Sequence, residues 1–219
     1  MSSIMHRLGS AAFASGTNNA AFSAWKAIQI VADVTKFDEI EAMRKQVEQE
    51  LGPIDILVAN AGGSFTMPGP LEETTEEGWH ASVNGNLTAT FLTLKSILPG
   101  MKQRKSGSIV TISSAAGRKP HPQAPIPYSA AKAGIQILTQ DVAAQAGPYG
   151  IRVNCVAPET ILTERNRQRI PEAQQMAMVE WHPICRLARP RMWRKRRFTS
   201  FPTSQRGSPA SSWMLQAGP

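Results

Sequence analysis

Four short apolar runs, each parted from the next by a helical stretch, restrict the fold more than any other feature. They are AIQIVADV (27–34), IDILVAN (54–60), SGSIVTISS (106–114) and GIRVNCVAP (150–158). Each is rich in Val and Ile and lacks a clean polar alternation, so each reads as a strand buried on both faces. Thr35 with Asp38 resembles a capping box, and a helix follows to about Leu51, where Gly52-Pro53 breaks it. Thr74 or Thr75, with Glu76 and Glu77, starts a second helix whose apolar positions continue through Phe91, Leu94 and Ile97. PHPQAPIP (120–127) reads as a stiff loop, since prolines interrupt helix and sheet alike. An apolar helix is expected over 128–146, and a polar-faced one over 163–180. Strands alternating with helices make an α/β fold, a Rossmann-like doubly wound parallel sheet covered on both sides. Ligands bind such sheets outside the carboxyl ends of the strands. Chemistry is therefore sought at 33–35, 60–66, 113–125 and 157–163.

The 219 residues and 23.8 kDa allow one domain and a tail. No apolar run is long enough to span a membrane, and the start of the chain has too short an apolar run for a secretory signal. Cys155 and Cys185 form no CxxC pair, and His6, His80, His121 and His182 lack metal spacing, so no metal is expected. The default location is cytoplasmic. A net charge of +8 suggests nucleic acid, but its distribution argues against that partner. Residues 188–219 hold seven Arg or Lys and no acidic group, leaving 17 basic and 16 acidic groups in the rest. That tail reads as disordered.

Tyr128 and Lys132 stand four apart on one helix and share a face. An ammonium beside a phenol favours the phenolate, which allows proton exchange with a carbonyl or alcohol oxygen. The spacing alone also arises by chance. Ser114 closes the preceding strand and reads either as a substrate-holding hydroxyl or as a plain turn serine. Asn60-Ala61-Gly62 ends another strand, as a ligand approach or an ordinary turn. Asn86 lies within a helix, where an unbonded Asn is disfavoured.

Together these residues resemble the short-chain dehydrogenase/reductase family over about residues 27–187. ADVT (32–35), Asn60-Ala61-Gly62, the Trp79 to Asn86-Leu87-Thr88 spacing, ISS ending at Ser114, the Tyr128/Lys132 pair and RVNCVAPETILT (152–163) come in the family's order. Their wording is most like bacterial 3-oxoacyl-acyl-carrier-protein reductases. The resemblance implies NAD or NADP as cofactor, a small carbonyl or alcohol substrate, and usually a homo-oligomer. It implies Tyr128 as acid-base, Lys132 on the nicotinamide ribose, Ser114 on the carbonyl and Asn86 on a relay water. Asp33 and Val34 would meet the adenine, Asn60, Ala61 and Gly62 the cofactor, and Pro158, Ile161 and Thr163 the nicotinamide. Glu159 stands where the family has Gly, which would put a carboxylate near the nicotinamide.

The family opens with a strand and a TGxxxGxG turn, whose N–H groups hold the pyrophosphate. Residues 1–26 carry no such motif and read as an atypical segment. After Leu187 the family continues Gly-Thr-Pro-Glu-Asp-Val-Ala, whereas this chain has Ala-Arg-Pro-Arg-Met-Trp-Arg. One deleted base accounts for that change, so 188–219 reads as a frameshifted tail. The expected sheet is thus incomplete at both ends. Two functions follow from sequence: a nicotinamide-dependent oxidoreductase, or an inactive remnant without cofactor binding.

Overall fold

The structure, a computed structural model, describes residues 27–121, 123–181, 185–190 and 212–213. Three of the expected apolar runs form a parallel sheet: β1 (Ile56–Ala59), β2 (Gly107–Ile112) and β3 (Ile151–Val156). A two-residue strand, β4 (Ser212–Trp213), pairs parallel with the end of β3. The helices are α1 (Phe37–Leu51), α2 (Glu76–Val83), α3 (Ala89–Arg104), α4 (Ile126–Ala146), α5 (Glu164–Arg169) and α6 (Glu172–Trp181).

The core forms where α3 and α4 lie on the sheet. Leu94, Ile97 and Met101 of α3 meet Ile109 of β2, Ile151 and Val153 of β3, and Ala143 and Ala146 of α4. Parallel pairing and apolar strands put the buried face here, as the run composition implies. The opposite face is open at β1, where Ile56 is 70% and Val58 55% exposed. That corrects the expectation that every strand is covered on both sides.

Four local expectations also change. Residues 27–34 form no strand, and Val31 is 89% exposed. A β-branched run becomes a strand only where a neighbour takes up its N–H and C=O groups, and no ladder pairs with this run among the described residues. At the start of α1 the expected Thr35–Asp38 box gives way to a different one. Glu39 reaches back to accept the Asp33 N–H (2.7 Å), while Asp33 accepts both the N–H and the hydroxyl of Thr35. Helix α4 begins at Ile126, so Pro127 sits inside its first turn. Proline is tolerated there because the missing N–H has no intrahelical partner. The single helix expected over 163–180 is two, because Pro171 drives Ile170 into an extended conformation.

Helix α2 starts as expected at Thr75, whose hydroxyl accepts the Gly78 N–H at 3.1 Å. Thr75→Ala removes that acceptor and should lower stability by about 1 kcal/mol, readable as a fall in the thermal midpoint. Of the basic tail, residues 188–190 and 212–213 are described. Ala188 bridges Ile161, and Ser212–Trp213 pairs with the end of β3. The remainder of the tail and all of the 1–26 segment lie outside the described residues.

Candidate active site

The carboxyl ends of β1, β2 and β3 gather most of the chemistry-bearing residues. β2 runs out at Ile112, and Ser113 and Ser114 follow before a short turn at Ala115–Gly117. Helix α4 then returns across this end and brings Tyr128 and Lys132 to it. The Tyr128 phenol faces the Ser114 side chain, closely enough that the serine favours the ionised phenol. The Lys132 Nζ lies 5.6 Å from the centre of the Tyr128 ring and donates to the Ile112 carbonyl at 2.9 Å. Ser114, Tyr128 and Lys132, dispersed over 19 positions, are therefore brought together.

The electrostatics differ from the sequence reading. Burial pushes the Tyr128 phenol above its ordinary value, and Ser114 opposes this only in part. Lys132 is 4% exposed, and burial lowers its pKa to about 8, against a weaker opposing influence of Cys155. The expected lowering of Tyr128 by Lys132 is absent: the ammonium is directed to the Ile112 carbonyl, and desolvation dominates both groups. A neutral phenol still suits one direction of proton transfer, because it has a proton to give a developing alkoxide.

Two residues that sequence reading passed over fix this arrangement. Ser113 donates to the Lys132 carbonyl at 2.6 Å and accepts from Gln136 Nε2 at 2.9 Å. Gln136 follows Lys132 by one helical turn, so α4 is fastened to the end of β2 at two successive levels. Gly117 packs its backbone on α4, where a Cβ would lie 2.6 Å from the Ala133 nitrogen. The adjacent serines at 113–114 were the available signal, but nothing in the sequence separates their two roles.

Asn86 is fully buried in a wide π-type turn, Asn84–Thr88, between α2 and α3. Its amide donates to the carbonyls of Gly63 (2.9 Å) and Ser82 (2.8 Å), and its oxygen accepts the Gly63 N–H (3.0 Å). The side chain thus ties the segment after β1 to the helices. Asn60 itself is exposed at the strand end, and Ala61 is half-buried. Gly62 has φ +139°, and a Cβ there would stand 2.5 Å from Asn86 Oδ1. Gly62→Ala should therefore cost about 1–3 kcal/mol, and the loss in a denaturant melt should shrink when Asn86→Ala is added, since the two share one contact.

The other expected cofactor residues are placed as follows. Asp33 is held below the usual carboxylate range, first by its hydrogen bond from the Thr35 side chain, and Val34 beside it is half-buried. Pro158 accepts the Ala115 N–H at 2.9 Å. Ile161 bridges Ala188 and accepts from Asn166 Nδ2. The Thr163 hydroxyl caps α5 by accepting the Asn166 N–H at 3.2 Å. The Glu159 carboxylate pairs with Lys119 Nζ at 3.0 Å and lies 3.8 Å from His121 Nε2. Among the described residues no cluster of three metal-ligating side chains occurs, and no helix is long and apolar enough to cross a membrane.

A parallel α/β sheet of Rossmann type binds its ligand outside the carboxyl ends of the strands, where these residues gather. The family model described as short chain dehydrogenase matches residues 8–174. The chain belongs to the short-chain dehydrogenase family. It is 41% identical over 168 residues to an uncharacterized oxidoreductase of Schizosaccharomyces pombe, covering 75% of this chain and 63% of that one. A 3-oxoacyl-[acyl-carrier protein] reductase of Brucella melitensis superposes with a TM-score of 0.70 at 34% identity, covering 75% of this chain and 61% of that one. An NAD+-bound xylitol dehydrogenase gives 0.69 at 26%, covering 73% and 66%. The chain thus spans under two thirds of the length of each. The alternative of an inactive remnant gains no support from these matches.

Proposed function

We propose that the chain forms the nicotinamide and substrate side of an NAD- or NADP-dependent oxidoreductase that interconverts a carbonyl and a secondary alcohol. The observation that carries this reading is the buried Lys132 ammonium, 5.6 Å from the centre of the Tyr128 ring, at the end of the strand that Ser114 follows. The donor set fits the nicotinamide riboside: a phenol and an ammonium stand together at a strand's carboxyl end. Tyr128 and Lys132 would hold the ribose, and Pro158, Ile161 and Thr163 the carboxamide. Asp33 and Val34 would meet the adenine, and Asn60, Ala61 and Gly62 would flank the cofactor on the β1 side. The bound nicotinamide supplies or accepts the hydride.

The protein's own residues manage the oxygen and its proton. Ser114 donates to the substrate oxygen and orients the carbonyl. Tyr128, kept neutral by burial, gives its proton as alkoxide charge develops. Lys132, fixed by its bond to the Ile112 carbonyl, keeps its ammonium beside the ring for the ribose hydroxyls. Asn86 holds the segment after β1 against α2 and α3, so its part here is positional. Similarity to the Brucella reductase favours a 3-oxoacyl thioester as substrate.

The test is isotopic. Nicotinamide cofactor deuterated at the transferring carbon, incubated with the protein and a 3-oxoacyl thioester, should leave deuterium on the carbon that bears the new hydroxyl. Product formed without deuterium there would sink the reading.

A further inference from the structure

We infer that Glu159 is a positioning residue for Ser114, acting as an ionic clasp between the segments that follow β2 and β3. The inference rests on the proposed role of Ser114 and Tyr128. Backbone pairing carries the two strands slightly past their ends: the Ser113 N–H donates to Val156 at 2.8 Å, and the Ala115 N–H to Pro158 at 2.9 Å. Ser114 lies between these two bonds. After Pro158 the contacts between the two segments are made by side chains. Glu159 pairs with Lys119 at 3.0 Å and faces His121 at 3.8 Å. The His121 Nδ1 accepts the Gln123 N–H, so the ring proton sits on Nε2, which faces the carboxylate.

The exposures fit a clasp. The Glu159 and His121 side chains are 26% and 20% exposed, while Lys119 is 65% exposed and approaches from outside. A half-buried carboxylate is costly without a partner, so Glu159 and its two partners hold the segments at one separation. That separation sets where the Ser114 hydroxyl stands relative to Tyr128. Loosening the clasp should weaken substrate capture and leave the proton transfer at Tyr128 nearly intact.

The experiment compares the wild-type chain, Glu159→Gln and the charge swap Lys119→Glu/Glu159→Lys. Amide hydrogen exchange of residues 115–121 should quicken roughly 2- to 5-fold in Glu159→Gln, the range set by a partly exposed ion pair. High salt should quicken the wild type and leave Glu159→Gln unchanged. With acetoacetyl-coenzyme A and NADPH, KM should rise by about the same factor while kcat holds, and the swap should bring both readings back toward wild type. Exchange that stays at the wild-type rate in Glu159→Gln overturns the clasp, as does a KM that does not move. Tyr128→Phe runs alongside: if it keeps the wild-type rate, the proposed chemistry fails, while the exchange data still decide the clasp.

Discussion

Tyr128→Phe should lower carbonyl reduction by ~10²–10⁴-fold, the usual worth of a positioned acid-base group. Phenylalanine keeps the ring and its packing on α4. It has no proton for the developing alkoxide. Burial raises the Tyr128 pKa, so the phenol is neutral throughout the neutral range and reduction needs no prior protonation. As far as Tyr128 sets it, the reduction rate should therefore be flat in pH through neutrality and fall where the phenol ionises, above its ordinary range. The reverse oxidation begins from the phenolate and should climb as pH rises over that range. Initial rates in both directions, for wild type and Tyr128→Phe, check this. A variant that keeps more than about a tenth of the wild-type rate would show that another group delivers the proton.

The parts of this site that sequence revealed are those fixed by a short period along one element. Tyr128 and Lys132 share a face because four residues make about one turn, and no tertiary contact is needed to see it. Thr75 caps α2 because its acceptor and the N–H it serves are three residues apart. Three of the four strand runs hold for a similar reason: composition alone shows that they need cover. The run at 27–34 has the same composition but no partner ladder among the described residues, and a ladder is not a local property.

Residues whose partners are distant in sequence were the illegible ones. Asn86 reads as an isolated mid-helix polar group until Gly63, 23 positions away, fills its hydrogen bonds. Ser113 looks like its neighbour, yet one serine faces the Lys132 carbonyl and the other the Tyr128 phenol. Glu159 suggests a carboxylate aimed at the nicotinamide. Its partners Lys119 and His121 stand some 40 positions earlier, out of reach of any local pattern. The Tyr–Lys electrostatics were misread because charge proximity follows from spacing, whereas burial does not. Burial here is set by how α4 packs over β2, and it outweighs the charge.

That burial has a measurable consequence at Lys132. Its pKa is about 8 when folded, against 10.5 for an exposed lysine. Below pH 8 the lysine is charged in both states, and folding bears the full cost of burying the ammonium. Between pH 8 and 10 the folded protein has released the proton while the unfolded chain still binds it. The unfolded state then holds more protons, so stability must rise with pH across this window. Lys132→Met keeps a long apolar stem and has no charge to desolvate. Relative to that variant, the wild-type chain should gain roughly 2–3 kcal/mol of unfolding free energy from pH 7 to pH 10. Taking the difference between the two proteins cancels the groups they share, Tyr128 included. Urea melts at pH 7, 8, 9 and 10 measure it. The curves should converge or cross as pH rises, with the variant ahead at pH 7. Parallel curves would mean that Lys132 titrates like an exposed lysine. Its 2.9 Å bond to the Ile112 carbonyl would then be enough to keep the ammonium charged inside the fold.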